Sequence, residues 1–482
     1  MHTIKVPEGT KVLTHEMLAI KEDTTEVILP ESLEIIDEYA FSYAVSLKNI
    51  VLPKNLRRIE DGAFYMSNIK TINFPESLEF IGKRAFVETD IEQVQLDSVK
   101  LSEGCFANCK KIKKVKILNI DSIPEAAFMR CSNLEALELQ NVNKIESQAF
   151  QETNLKNIDL SSVSYIGDSA FYICPLKSVK FTEKDLKIED YAFAQTLFES
   201  LEIKAANLKL GSTAFASNAK LKTVNLKETK VDAIPDHCFD MCISLKTVVL
   251  PPSVKAIKPH AFQRCFDLTN INLENVEYLD ECFSGSFSLK EIDLSNFKEI
   301  KNNPFKYCFN ITFTGNSKNY KIINNNIYKI ENGKYKLVTA TNENIAPCTE
   351  ILTNAFATDK IEKITLPKEV KKIHKNAFIC CRFLKTIDLN CASKIDINEP
   401  IITTCSNLET IYAPNITENP KLIYDCRKLK EIFVNKIAYN AYKDYTQGLP
   451  IDIFYEISLD KLLELGKSFK EINEIKKNDL NR

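Results

Sequence analysis

Cysteine is the residue type whose number and spacing in this chain first suggest chemistry. There are fifteen cysteines in 482 residues, and two pairs have the spacing C-x-x-x-C: Cys105 with Cys109, and Cys238 with Cys242. Thiolates at this spacing can bind zinc, and a histidine beside a cysteine, as at His237, can act as the base of a thiol nucleophile. A structural zinc site needs four converging ligands, and neither pair has a second pair to complete it. The position of the cysteines within a larger pattern decides between chemistry and packing.

That larger pattern is a repeat marked by the dipeptide Ala-Phe. Successive phenylalanines lie 20 to 24 residues apart, apart from one gap of 51 residues before Phe356. Between them stands Leu-x-x-Ile-x-Leu, as at Leu47, Ile50 and Leu52, and an isoleucine precedes the phenylalanine by five residues. The eighteen anchor positions, some of them degenerate, are Leu18, Phe41, Phe64, Phe86, Phe106, Phe128, Phe150, Phe171, Phe193, Phe215, Phe239, Phe262, Phe283, Phe305, Phe356, Phe378, Ile402 and Ile423.

The period and the Leu-x-x-Ile-x-Leu core predict a repeat solenoid of the leucine-rich repeat class. We expect a horseshoe with one parallel β-strand per repeat of about 22 residues, and about 18 repeats within residues 1–455. The string LPPSVKAIKPHAFQRC, residues 250–265, resembles the BspA-like (Treponema pallidum type) leucine-rich repeat family, and the pattern recurs from Leu18 to about Tyr455. The resemblance implies a non-enzymatic protein-binding array.

The repeat explains thirteen of the fifteen cysteines by their position. A thiol is small, weakly polar and commonly buried, so we expect these cysteines to be reduced and packed, with no cofactor and no metal site. Cys380 and Cys391 fall outside the packed positions and are the predicted exposed thiols. Nine cysteines lie three residues after an anchor: Cys109, Cys131, Cys174, Cys242, Cys265, Cys308, Cys381, Cys405 and Cys426. Three directly precede an anchor, which are Cys105, Cys238 and Cys282. Cys348 lies eight residues before the anchor Phe356.

Charge and hydropathy give no sign of a nucleic-acid or membrane partner. The formal net charge is -2, from 63 basic and 65 acidic residues. The lysine-rich run CKKIKKVKI, residues 109–117, is the richest basic stretch, but alignment of the repeats puts Lys113 between Glu92 and Glu135, and Lys116 beside Glu138. No signal peptide and no apolar run of transmembrane length is found. We therefore predict a cytoplasmic protein, with display at the cell surface by a non-classical route as the alternative.

Two segments break the repeat. Residues 315–343 alternate apolar and polar residues around Asn332-Gly333, which predicts a β-hairpin insert. Its tyrosines, Tyr320, Tyr328 and Tyr335, are candidate partner contacts if the hairpin projects, and the alternative is an insert that packs on its neighbours. Residues 456–482 have an apolar stripe at helical spacing and predict a C-terminal amphipathic cap helix. We expect this helix either to dock on its own chain or to pair with the same helix of a second chain, and we slightly favour the monomer.

Candidate contacts on the sheet come from the outward positions of Leu-x-x-Ile-x-Leu. Apolar residues at the central outward position are Val51, Val249, Tyr412 and Phe433, and exposed apolar or aromatic side chains are typical of protein-binding surfaces. We therefore predict a protein-interaction module that binds through this concave face or through the hairpin. The resemblance implies a surface adhesin that binds host or matrix proteins. The alternative is an intracellular scaffold that self-associates through the C-terminal helix.

Overall fold

The computed structural model describes residues 2–18, 20, 23–358, 360–389, 399–414, 422–435 and 454–456. The chain forms two compact units, residues 1–254 and 255–482. Each unit is a stack of turns, and each regular turn has three sides, which are a first strand, a short second strand and the Ala-Phe segment. The predicted repeat solenoid is therefore confirmed within each unit.

Unit 1 contains parallel strands throughout its described part and a single four-residue helix. First strands pair within β5-β7, β9-β11-β13, β15-β17 and β19-β21-β23, while second strands pair within β2-β4-β6-β8-β10 and β12-β14-β16-β18-β20. The elements are β1 His2–Lys5, β2 Val12–Leu13, α1 His15–Leu18, β3 Thr24–Ile28, β4 Ile35–Ile36, β5 Asn49–Ile50, β6 Arg58–Ile59, β7 Thr71–Ile72, β8 Phe80–Ile81, β9 Gln93–Asp97, β10 Lys100–Leu101, β11 Lys114–Leu118, β12 Ser122–Ile123, β13 Ala136–Gln140, β14 Lys144–Ile145, β15 Asn157–Leu160, β16 Tyr165–Ile166, β17 Ser178–Phe181, β18 Leu186–Ile188, β19 Ser200–Glu202, β20 Leu208–Leu210, β21 Thr223–Asn225, β22 Ala233–Ile234 and β23 Thr247–Val249.

Unit 2 repeats this plan and adds an antiparallel insert. First strands pair within β27-β29 and β34-β37-β39-β41-β42, and the short strands within β24-β26-β28 and β36-β38-β40, while β30 to β33 and β35 form a mixed sheet. The elements are β24 Ala256–Ile257, β25 Asn270–Ile271, β26 Tyr278–Asp280, β27 Glu291–Asp293, β28 Glu299–Lys301, β29 Thr312–Thr314, β30 Tyr320–Ile323, β31 Asn326–Glu331, β32 Lys334–Thr339, β33 Glu350–Ile351, β34 Lys363–Thr365, β35 Lys372–Ile373, β36 Phe378–Ile379, β37 Thr386–Asp388, β38 Ile402–Thr403, β39 Thr410–Ala413, β40 Ile423–Tyr424, β41 Glu431–Val434 and β42 Phe454–Glu456.

The first strands form because Leu-x-x-Ile-x-Leu alternates as an extended chain does. In β11, Val115 and Ile117 are buried, whereas Lys114 and Lys116 point outward. Val115 lies in register with Val94 of β9 and Leu137 of β13, so each buried apolar side chain stacks on its equivalents in the neighbouring turns. This stacking buries in each turn an apolar face that a single turn could not bury alone.

The second strands are an addition to the prediction, which gave one strand to each repeat. The isoleucine five residues before the anchor and the residue before it pair in parallel with the same two positions of the next turn, as Ile36 does with Ile59 and Ile59 with Ile81. These isoleucines are fully buried. Each turn is thus held to its neighbours by two sets of parallel strand pairs, one of first strands and one of second strands. The Ala-Phe segment follows the second strand in the chain and precedes the next first strand.

The Ala-Phe segments form the third side of the stack. The Phe64 N–H donates to the Ala85 carbonyl at 2.7 Å, and the same bond recurs from turn to turn. Anchor rings stack in parallel, with centroids 4.8 Å apart for Phe41 and Phe64 and 5.5 Å apart for Phe128 and Phe150. The segment bends through left-handed residues placed two before and two after the anchor, such as Gly62 and Asn108. This geometry suits glycine and asparagine best.

The insert is larger than the predicted hairpin and belongs to the core. The predicted Asn332-Gly333 turn joins β31 to β32, and a second turn at Asn324 and Asn325 joins β30 to β31. Strand β32 then pairs in parallel with β33, so the insert supplies a strand to the repeat sheet. The Tyr307 N–H donates to the Ala357 carbonyl at 3.0 Å, which places the turn after the insert directly on the turn before it.

The predicted C-terminal cap helix, residues 456–482, lies outside the described residues except for Glu456, and it stays a prediction. In the part of the chain that the structure describes, no helix is long and apolar enough to span a membrane.

Candidate functional site

The buried cysteines hold the turns together through their thiols. The Cys131 thiol donates to the Phe106 carbonyl at 3.2 Å, and the Cys174 thiol donates to the Phe150 carbonyl at 3.1 Å. In each case the acceptor is the anchor phenylalanine of the preceding turn. The position three residues after the anchor therefore supplies a hydrogen-bond donor to a buried carbonyl, in addition to the packing predicted from the sequence.

Other turns place a different donor at this position. The Ser286 hydroxyl donates to the Phe262 carbonyl at 2.8 Å, and the Asn218 side-chain amide donates to the Phe193 carbonyl at 3.0 Å. Sequence reasoning missed this role, although the signal was present as an exchange of Cys with Ser, Thr and Asn at one repeat position. The exchange keeps a polar side chain at this position, and in Cys131, Asn218 and Ser286 that side chain donates to the carbonyl of the preceding anchor.

The thiols are unsuited to nucleophilic chemistry. Burial raises the pKa of Cys109 to about 11 and that of Cys242 to about 12, and it raises the pKa of Cys105 and Cys238 further. The nucleophile and the metal ligand are the thiolate, which these shifts disfavour at neutral pH. The 14 cysteines in the described residues are all free, and Cys380 is the half-exposed one among them. Cys391 lies outside the described residues.

His237 contacts an acidic side chain. Its Nδ1 lies 3.2 Å from an Asp240 carboxylate oxygen. The candidate catalytic pair of His237 with Cys238 is thus accounted for by an ordinary surface interaction and a buried thiol. Among the described residues no group of three or more His, Cys, Asp or Glu side chains is arranged to hold a metal.

Lys116 of the lysine-rich run pairs with the acidic residue predicted from the repeat alignment. The Lys116 ammonium lies 2.8 Å from a Glu138 carboxylate oxygen in the next strand. The Lys113 backbone bonds to Glu92 on one side and Glu135 on the other, which places all three at one level of adjacent turns. Further along the sheet, Lys180 and Asp159 pair at 3.3 Å. Opposite charges in neighbouring strands thus alternate along this face.

Of the predicted contacts on the sheet, Val51 is the fully exposed one. Its side chain is 77% exposed, more than that of any other large apolar residue in the described part of the chain. Val249 is half-buried in β23. Tyr412 is only 8% exposed, so it is not the open aromatic contact that was predicted, because its ring stacks on half-buried Phe433 with centroids 5.0 Å apart.

The insert tyrosines decide between the projecting and the packed hairpin, and they are not open partner contacts. Tyr320 and Tyr328 are buried, and Tyr335 is half-buried against the core of unit 2. The Ile300 N–H donates to the Tyr320 hydroxyl at 2.6 Å, and the Ala346 N–H donates to the Tyr328 hydroxyl at 2.9 Å. Burial raises the pKa of both hydroxyls to about 12. These side chains therefore agree with the alternative prediction, an insert that packs on its neighbours.

A second apolar residue accompanies Val51. Ile28 of β3 is 45% exposed and lines the same cleft of about 550 Å³. Glu26 and Asn49 add polar groups to the lining of this cleft. Sequence reasoning missed Ile28 because the first repeat departs from the Leu-x-x-Ile-x-Leu pattern. The exposed apolar surface of this cleft therefore comes from the N-terminal turns of unit 1.

Solved structures similar to this chain include bacterial leucine-rich repeat proteins. A leucine-rich repeat protein from Bacteroides ovatus is 17% identical, with 95% of this chain and 92% of that chain covered and a TM-score of 0.45. A leucine rich cell surface protein from Faecalibacterium prausnitzii is 19% identical, with 92% of each chain covered and a TM-score of 0.27. The pneumococcal vaccine antigen PcpA is 16% identical, with 90% and 82% covered and a TM-score of 0.30.

The comparison with curated proteins found no match. The family described as BspA type leucine rich repeat region (6 copies) matches residues 1–113, 99–222, 208–337 and 349–474. These matches span nearly the whole chain and coincide with the stacked turns of both units. The chain therefore belongs to the BspA-type leucine-rich repeat family.

Proposed function

We propose that the protein is a non-enzymatic module that binds another protein through the first-strand face of its N-terminal turns. The observation that carries this proposal is the exposure of Val51, an apolar residue directly after strand β5 that remains 77% open to solvent. Exposed apolar side chains grouped at a cleft mark protein-binding sites more often than chance. Ile28 in the same cleft makes the apolar contact larger than one residue.

The chemistry of the interior supports a binding role over catalysis. Thirteen of the 14 described thiols are buried, and thiols three residues after an anchor, such as Cys131, donate to backbone carbonyls. A repeat array of this kind fixes a shape and leaves recognition to its exposed side chains. The residues available for recognition are therefore those that point outward from the turns.

As partner we propose a host or matrix protein met at the cell surface, in line with what the family resemblance implies. The competing assignment is an intracellular scaffold that self-associates. Labelling intact native cells with a membrane-impermeant biotin reagent separates the two, with a cytosolic protein as the internal control. The adhesin assignment predicts biotinylated protein on intact cells, and labelling only after lysis would contradict it.

The binding face is tested with the full chain on a panel of immobilised extracellular-matrix proteins. We expect Val51→Asp to lower affinity for the bound member of the panel by about tenfold, because it puts an unpaired charge at the centre of an apolar contact. Gln95→Asp is the matched control, since Gln95 is exposed and lies in β9 beside outward-pointing Lys116 of β11. The same loss of affinity in both variants, or no loss of affinity in Val51→Asp, would contradict the proposal.

A further inference from the structure

Two exposed tyrosines lie together on the Ala-Phe side of one N-terminal turn. Tyr39 is 52% exposed and Tyr43 is 60% exposed, and they stand two residues before and two residues after the anchor Phe41. Both have left-handed backbone, with φ of 54° and 57°. Among the described turns, this is the one in which an aromatic residue occupies both left-handed positions.

These positions disfavour tyrosine on conformational grounds. A bulky side chain in the left-handed region is strained, whereas glycine and asparagine adopt it readily. Some turns use those residues, with Gly62 and Asn376 at the first position and Asn108 at the second, whereas others carry longer side chains such as Arg84 and Met66. The left-handed backbone is general to the turns, and what distinguishes this turn is its pair of exposed aromatic side chains.

Both rings are held in place by neighbouring turns. A Cβ atom added to Gly62 would overlap the Cδ1, Cε1 and Cζ atoms of Tyr39, so the ring lies directly over that glycine. Tyr43 contacts the Tyr65 ring edge to face, with centroids 5.9 Å apart. The Tyr43 N–H donates to the Tyr65 carbonyl at 2.9 Å. Rings fixed in this way lose little freedom when a partner binds.

The charges next to the rings are acidic. Asp37 and Glu38 directly precede Tyr39, and among the described residues neither forms a side-chain ion pair. In the adjacent turn, the Asp61 carboxylate accepts the Lys83 N–H at 2.6 Å, and Glu60 pairs with Arg58. The surface beside the tyrosines therefore presents aromatic rings and the carboxylates of Asp37 and Glu38, while the His15 ring lies 3.1 Å from the Tyr39 carbonyl. Val45, which is also exposed, adds an apolar side chain.

We propose that Tyr39 and Tyr43 bind a protein segment that presents lysine or arginine next to an apolar side chain. The cation lies on a tyrosine ring, where the negative face of the ring attracts it, and Asp37 and Glu38 supply the opposite charge. The apolar neighbour contacts Val45. This inference rests on the proposed protein-binding function, but it uses the Ala-Phe side of the stack and does not use the Val51 cleft.

The test measures binding of the full chain to a fluorescein-labelled synthetic peptide of repeated Arg-Leu-Gly-Ser units by fluorescence anisotropy at physiological ionic strength. A peptide of repeated Glu-Leu-Gly-Ser units is the charge control. The test variant is Tyr39→Asn with Tyr43→Asn, which copies residues that other turns use at these positions. The matched control is Gln148→Asn with Met241→Asn, two left-handed and non-aromatic positions elsewhere in unit 1.

We expect the tyrosine double variant to bind the arginine peptide about tenfold more weakly, and to melt at the same or a higher temperature because the backbone strain is relieved. The control pair should leave affinity within about twofold, since it removes no aromatic ring. Unchanged affinity in the tyrosine variant, an equal loss in the control pair, or preference for the glutamate peptide overturns the inference. Val51→Asp should leave peptide binding unchanged. The peptide test can therefore fail while the proposed protein binding at the Val51 cleft holds, and the reverse is also possible.

Discussion

At the scale of residues, the position three after each anchor shows how far the sequence determines the role of a side chain. Repeat spacing predicted that Cys131 and its equivalents are buried, and the structure confirms it. The exchange of Cys with other polar residues pointed to a hydrogen-bonding role, but the acceptor could not be named, because it belongs to the preceding turn and its direction depends on the left-handed bend between them. Burial follows from the pattern, whereas partners require the stacked geometry.

Substitution of Cys131 tests the donor role. Cys131→Ala removes the side-chain donor to the Phe106 carbonyl, which keeps only the 3.4 Å bond from the Cys109 N–H, and we expect the lost bond to lower the free energy of unfolding by about 0.5–1.5 kcal/mol. Cys131→Ser keeps a hydrogen-bond donor, and we expect it to lower the free energy of unfolding by less than Cys131→Ala does. Denaturant unfolding of both variants gives the comparison. An equal loss in Ala and Ser would mean that only the volume of the thiol matters.

The raised thiol pKa values predict a loss of stability at alkaline pH. Burial raises the pKa of Cys109 and Cys174 to about 11 from 9.0, so above pH 9 the folded chain retains protons that the unfolded chain releases. Stability is then fully present below pH 9 and falls as the pH rises towards 11. Denaturant midpoints across this range should fall less steeply in Cys109→Ser with Cys174→Ser. A fall of the same size in that variant and the wild type would contradict the assignment.

At the scale of elements, the insert was predicted in part. The Asn-Gly dipeptide predicted one turn correctly, and the structure adds β30 with a turn at Asn324 and Asn325. Pairing of β32 with β33, and burial of Tyr320 and Tyr328, depend on residues distant in the sequence, which alternation alone does not reveal. The difference between a projecting and a packed hairpin is therefore a tertiary one.

Tyr328 should be a stability determinant of unit 2. Its side chain is fully buried, and its hydroxyl accepts the Ala346 N–H. We expect Tyr328→Ala to lower the free energy of unfolding by about 3–5 kcal/mol, as other large core truncations do. Tyr335→Ala is the control, since Tyr335 is half-buried and should cost clearly less. Chemical unfolding followed by circular dichroism measures both, and similar losses would place Tyr328 outside the core.

At the scale of the whole molecule, periodicity alone was enough to predict the repeat class. Each turn packs on its two neighbours through the same few buried positions, so the spacing of the anchors carries the architecture. The second strands were not predicted, since two residues per turn are too few to show an alternating pattern. Exposure was predicted well at Val51 and poorly at Tyr412, where an aromatic neighbour in the next turn covers the ring.

Damage to one turn should remain local within unit 1. Phe150 is fully buried and stacks on Phe128 and Phe171, with centroids 5.5 and 5.4 Å away. Phe150→Ala leaves a cavity that destabilises these turns by about 3–5 kcal/mol. Hydrogen exchange with mass spectrometry should show faster exchange in the turns of these three anchors and little change near Phe41. Uniform loss of protection across the unit would contradict stacking with neighbours only.

The central claim is that function resides on the exposed first-strand face of the N-terminal turns, and photocrosslinking in the native cell tests it most directly. A benzophenone amino acid replaces Val51 in one full-length variant and Gln95 in the other, both being exposed positions of unit 1. The account predicts one discrete protein adduct from position 51, lost when Ile28→Asp is added, and none from position 95. Adducts of equal yield at the two positions, or none at position 51, would contradict it.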